Sequence, residues 1–92
     1  MDPLKSSLDE LRPHPVYVSI DIDVVDPAAA PGTGTPEACG ITSRELVEAL
    51  HCMAPLNIVG FDLVEVAPDL DVNGITSALA AKCVREALIQ WG

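Results

Sequence analysis

Apolar residues in this chain fall into two strand-like runs and two helical stripes. Val16 to Ile22 is β-branched and aromatic with no charge until Asp21, as a buried strand requires, and Asn57 to Leu63 reads as a second strand. Between them, Thr42-Ser43-Arg44-Glu45 has the spacing of a capping box, in which a threonine hydroxyl and a glutamate carboxylate satisfy each other's free backbone donors. Ile41 before the cap and Leu46 after it are placed for a hydrophobic staple. Leu46, Ala49, Leu50 and Met53 then recur at helical spacing, and Pro55 closes the run, which predicts a helix over 43–53. A last helix over 75–91 carries Ile75, Leu79, Cys83, Val84, Leu88 and Trp91 on one face. The polar segment from Asp2 to Leu11 predicts one or two helical turns, stopped by Pro13-His14-Pro15 because proline disfavours helix in the residue before it.

The order strand, helix, strand, helix predicts an α/β layer with two parallel strands joined by a right-handed crossover. Parallel strands end on the same edge of a sheet, and ligands in open α/β sheets bind outside that edge. Asp21 and Asp23, at the end of the first strand, and Glu65, beyond the second, are therefore expected together. Pro27, Pro31 and Pro36 with Gly32 and Gly34 impose an irregular loop of about fifteen residues, a length usually reserved for function when the composition is this stiff.

Ninety-two residues make one small domain, able to bury roughly 60–65% of its unfolded surface. Fourteen acidic against five basic residues give a net charge of −9, which argues against nucleic acid or an anionic membrane as partner. Such a surface suits cationic substrates, although most acidic surfaces serve only solubility. Nothing resembles a signal peptide, and no apolar run reaches the ~18 residues a membrane span needs. Cys39, Cys52 and Cys83 are odd in number and widely spaced, without the pairing of a disulfide frame or zinc site. Reduced thiols and a cytoplasmic location are expected.

The segment with most chemistry is Ser19-Ile20-Asp21-Ile22-Asp23-Val24-Val25-Asp26-Pro27, continuing to Ala30-Pro31-Gly32-Thr33-Gly34-Thr35-Pro36. It sets three carboxylates within six residues after an apolar strand. Residues two apart on a strand share a face, so Asp21 and Asp23 are expected to project the same way. Like charges that close repel unless a cation sits between them, and hard divalent ions suit carboxylates. The competing reading is a pair of solvated turn acids or a helix-cap arrangement. Asp26 before Pro27 is a common turn former. Thr33 and Thr35 can reach a substrate or a metal ligand, though threonines in such loops more often bond the backbone. Glu65 lies beyond an apolar strand, where a buried carboxylate would need a partner. His14 and His51 lack ligand spacing and read as surface histidines.

The string SIDIDVVDPAAAPGTGTPEACG, with Gly60-Phe61-Asp62-Leu63-Val64-Glu65-Val66-Ala67-Pro68 downstream, closely resembles the ureohydrolases, the family of arginases and agmatinases. APGTGTPE is more like agmatinases. The resemblance runs from about Val16 to the end of the chain and implies the C-terminal β-α-β-α portion of a three-layer α/β/α arginase-like fold. It further implies a binuclear manganese enzyme that hydrolyses a guanidino compound of the agmatine type to urea and an amine. Asp21 and Asp23 would be Mn²⁺ ligands, Glu65 would accept hydrogen bonds from the substrate guanidinium, and Asp26 would support the site. Complete domains of this kind are roughly three times as long as this chain, above the usual ~100–150-residue mode. Their Gly-Gly-Asp-His and Asp-Ala-His-x-Asp segments would lie upstream, so residues 1–92 read as a partial, C-terminal domain with little activity alone. Its unpaired strand edges predict self-association or a homo-oligomer. Where relatives have Gly-Gly, this chain has Cys39-Gly40, a strained substitution if that position takes positive φ. Two other readings compete: a haloacid-dehalogenase-like phosphohydrolase, which also opens on a strand and D-x-D but has no place for the APGTGTP loop, and a non-catalytic piece acting only in binding or assembly.

Overall fold

The computed structural model describes residues 2–92. In chain order it has α1 (Asp2–Leu11), β1 (Pro15–Asp21), a 3₁₀ turn (Ile22–Val24), α2 (Ser43–Cys52), β2 (Asn57–Val64), a second 3₁₀ turn (Pro68–Leu70) and α3 (Ile75–Trp91). The two strands pair in parallel, with Val18 opposite Phe61, Ile20 opposite Leu63 and Asp21 opposite Val64. A register shift beside Val16 and Tyr17 leaves Val59 as the extra residue.

The capping box forms as expected. Thr42 Oγ1 accepts the Glu45 amide at 3.0 Å, and Glu45 Oε1 accepts the Thr42 amide at 2.9 Å. α1 runs through ten residues, longer than one or two turns, and buries Leu8. β1 starts at Pro15 and ends one residue earlier than expected, at Asp21, while β2 extends to Val64.

One face of the sheet makes the core. Val18, Ile20, Ile22, Val25 and Ala30 cluster with Leu46 and Leu50 of α2 and Cys83 of α3, and Phe61, Leu63 and Trp91 pack against the group. Ile41 also joins this cluster, so the residues at both positions of the staple reach the core.

α3 turns only part of the expected stripe inward: Leu79, Cys83 and Trp91 meet the core as expected, and the other three do not. Thr76, Cys83 and Ala87 are buried, whereas Ile75, Val84 and Leu88 are 44%, 40% and 65% exposed. Small side chains let the helix axis approach α2 and β2, both of which it contacts. Helical period alone does not decide between two adjacent apolar stripes; the closer approach does.

Candidate functional site

Asp21 is both the last residue of β1 and the N-cap of the Ile22–Val24 turn. Its Oδ1 accepts the Asp23 amide at 3.1 Å, so the chain has left strand geometry before Asp23. The two carboxylates are thus related by a capped 3₁₀ turn and not by the alternation of a strand, which corrects the sequence-based geometry. The physical reason is local: an aspartate that caps its own following turn satisfies an amide that no neighbouring strand would.

Asp23 is held from the other side. The Thr35 hydroxyl donates to Asp23 Oδ2 at 2.8 Å, so this threonine bonds a carboxylate and not the loop backbone. Thr33 behaves differently: it is 2% exposed, and its hydroxyl meets no partner among the described residues. Asp26 forms the expected turn, its Oδ1 accepting the Ala28 amide at 2.9 Å. The loop is closed where the Asp26 amide donates to the Ile41 carbonyl at 2.9 Å and the Ile41 amide to the Val24 carbonyl at 3.0 Å. Cys39, within that loop, has φ 67°, the left-handed region that a side chain resists.

Glu65 follows Val64, the residue paired with Asp21, so it stands at the same sheet edge as the aspartates. It is exposed, which removes the argument that burial obliges it to find a partner. Its φ of 74° turns the chain sharply out of β2. Two residues on, the Ala67 amide donates to the Gly32 carbonyl at 2.7 Å, tying the loop after β2 to the loop after β1.

Two functional-looking arrangements were not legible in the sequence. Asp71 accepts the amides of Thr76 and Ser77 at 2.9 Å each and the Ser77 hydroxyl at 2.7 Å. Loss of water around this carboxyl would push it up, but those hydrogen bonds from Ser77 and Thr76 outweigh that and bring it down to about 2. An acid ahead of an apolar helical run was the available signal. On the sheet face away from the core, Asp62 accepts the Ser19 hydroxyl at 2.6 Å and the Tyr17 hydroxyl at 2.8 Å. These bonds, from Ser19 first and then Tyr17, hold its carboxyl below the usual range. Only the strand register brings these three together. His51 lies on the surface, its Nε2 3.0 Å from Glu86 Oε1.

Among the described residues, no group of three or more His, Cys, Asp or Glu side chains is arranged to hold a metal ion. Asp21 and Asp23 are hard oxygen donors, and one Asp23 oxygen is already oriented by Thr35; that donor set fits part of a site for Mn²⁺ or Mg²⁺.

Residues 1–90 match the model of the Arginase family. The chain belongs to the arginase family. An agmatinase of Bacillus anthracis is 55% identical over 93 aligned residues, which take in 99% of this chain and 32% of that protein. The solved proclavaminate amidino hydrolase of Streptomyces clavuligerus superposes with a TM-score of 0.86 at 50% identity, over 96% of this chain and 31% of the other. Arginase from Bacillus caldovelox gives 0.86 at 31% identity, over 99% and 31%. The arginase-family chain described here thus spans about a third of the length of the relatives it matches, and its two parallel strands and three helices are a portion of the arginase fold. Membership displaces the phosphohydrolase reading of the D-x-D motif.

Proposed function

We propose that residues 1–92 are the C-terminal part of a ureohydrolase domain and supply the carboxylate side of a site that hydrolyses an agmatine-type guanidino compound to urea and an amine. The observation that supports this reading is that Asp21 and Asp23 follow β1 and Glu65 follows β2 at the ends of paired parallel strands, with the Thr35 hydroxyl donating to Asp23. Asp21 and Asp23 would hold Mn²⁺, the metal general to the family and suited to carboxylates. When bound, a pair of such ions supplies Lewis acidity and a hydroxide nucleophile at neutral pH.

The chain's own residues do the rest. Glu65 accepts the planar donor fork of a guanidinium, a geometry that favours bidentate pairing. Thr35 fixes the rotation of the Asp23 carboxylate, and Asp26 fixes the turn that follows it. Thr33 offers a buried hydroxyl within the loop. The charge of −9 favours approach of a cationic substrate.

Two aspartates are an incomplete ligand set, so the chain alone is expected to bind Mn²⁺ weakly and to release little urea. Positional errors of even ~1 Å cost about 10²-fold in rate. That supports a second reading, in which this chain serves only in binding or assembly, and the exposed apolar residues of β2 and α3 favour self-association. The test is urea release from agmatine, guanidinobutyrate and arginine with excess Mn²⁺, beside Mn²⁺ titrations of Asp21→Ala and Asp23→Ala. Robust turnover lost in Asp23→Ala would make the chain a sufficient enzyme; Mn²⁺ binding indifferent to both substitutions would end the metal reading.

A further inference from the structure

The peptide of Gly32 lies between the two loops that carry the candidate site. Its amide donates to Thr76 Oγ1 at 2.8 Å, and its carbonyl accepts the Ala67 amide at 2.7 Å. Ala67 is two residues beyond Glu65, and Gly32 is three residues before Thr35, whose hydroxyl holds Asp23. Thr76 is fully buried at the start of α3. The packing is tight: a Cβ on Gly32 would lie 2.8 Å from Asp71 Cβ and 2.9 Å from Thr76 Oγ1. Between Gly32 and Thr35 the chain has little slack, since Thr33 is buried and its amide returns to the Pro31 carbonyl at 2.9 Å.

We infer that Thr76, seated by Asp71, is a positioning residue: its hydroxyl clamps Gly32 and so sets the orientation of Asp23 and its distance from the segment bearing Glu65. The inference rests on the metal-site reading only for its consequence for Mn²⁺; the clamp itself is a property of the metal-free chain. An ordinary helix-start role is separable from it. Asp71 accepts the Thr76 and Ser77 amides directly, so these two bonds at the start of α3 do not pass through the Thr76 hydroxyl. What the hydroxyl alone satisfies is the Gly32 amide, a buried donor whose loss of partner drives the loop to move.

The experiment is amide hydrogen exchange and NMR on the metal-free chain, with Mn²⁺ titration as a separate arm. In Thr76→Val, the Gly32 amide should lose protection and the Thr35 and Asp23 resonances should shift, while the amides of Thr76 and Ser77 stay protected. Mn²⁺ affinity should fall about tenfold, the scale typical of removing an outer support from a metal ligand. Thr76→Ser should restore every signal. Should Thr76→Val fail to fold, Gly32→Ala makes the same displacement from the other side. Thr35 and Asp23 resonances that stay put when the Gly32 contact is broken would overturn the clamp. Mn²⁺ binding that ignores Asp23→Ala would instead fail the metal reading, and the exchange data would still decide the clamp.

Discussion

The edge of the Tyr17 ring occupies the space that a side chain at Gly60 would need: a Cβ there would come within 2.5 Å of ring carbons Cδ2 and Cε2. The two residues are cross-strand partners, and the ring reaches along β2 to place its hydroxyl 2.8 Å from Asp62 Oδ2. That hydrogen bond, then partial loss of water and the Asp62 charge, pushes the Tyr17 phenol up from its ordinary range. A raised folded value means the neutral phenol stabilises the fold below about pH 10, and this contribution is lost as pH rises through the folded value.

Gly60→Ala should displace the ring and return the Tyr17 titration toward an ordinary tyrosine, and Asp62→Asn should do the same. The chain has one tyrosine, so alkaline absorbance titration reads it directly. A midpoint unchanged in Asp62→Asn would refute the coupling.

Cys39→Gly should stabilise the chain. Left-handed φ costs a residue with a side chain roughly 1–2 kcal/mol, and glycine gives back part of that by loosening the unfolded state. A net gain of about 0.5–1 kcal/mol is expected in urea unfolding. Equal or lower stability would mean the φ of 67° is not a strained conformation here.

Asp71 should govern the acid limb. Its carboxyl lies at about 2 when folded, so the stability it contributes is present above the ordinary aspartate value and is lost as pH falls from there toward about 2. Asp71→Ala should remove that limb and expose the amides of Thr76 and Ser77 to exchange. Parallel acid profiles for the two proteins would count against the assignment.

Leu50→Ala should be severe. Leu50 is fully buried in the central cluster, and emptying such a site costs about 2–5 kcal/mol. A chain of this length holds on the order of 0.05–0.15 kcal/mol per residue, so a large share of its stability is at stake. Urea unfolding followed by circular dichroism measures it.

Concentration-dependent association is expected from the apolar residues left outward. Val59, Leu88 and Ile89 are 64%, 65% and 65% exposed, and among the described residues β2 has a neighbouring strand on one side only. Leu88→Lys and Val59→Lys should each shift sedimentation equilibrium toward monomer. Unchanged association in both would place the contact elsewhere.

Local chemistry was enough to specify several elements of this protein. Thr42 and Glu45 start α2 by a reciprocal bond within four residues, and Pro55 ends the run that follows; neither needs a distant contact. The two apolar runs identify β1 and β2, and their order makes parallel pairing and a shared edge for Asp21 and Glu65 predictable. The arginase-family motifs were likewise contiguous and readable. Tertiary structure decided the rest, because each remaining feature depends on groups far apart in sequence or on competing local minima. Asp23 leaves the strand through a local bond to Asp21, but its carboxylate is oriented by Thr35, twelve residues on, which only the folded loop brings near. That Thr76 and Ala87 of α3 joined Leu79, Cys83 and Trp91 at the core, while Ile75, Val84 and Leu88 stayed outside, depended on how closely the small side chains allowed the helix to approach. The Gly32–Thr76 contact spans 44 residues, and Asp62 meets Tyr17 and Ser19 only through strand register. Periodicity records where apolar surface lies along the chain; it carries no information about which distant polar groups the folded backbone will bring within hydrogen-bonding distance.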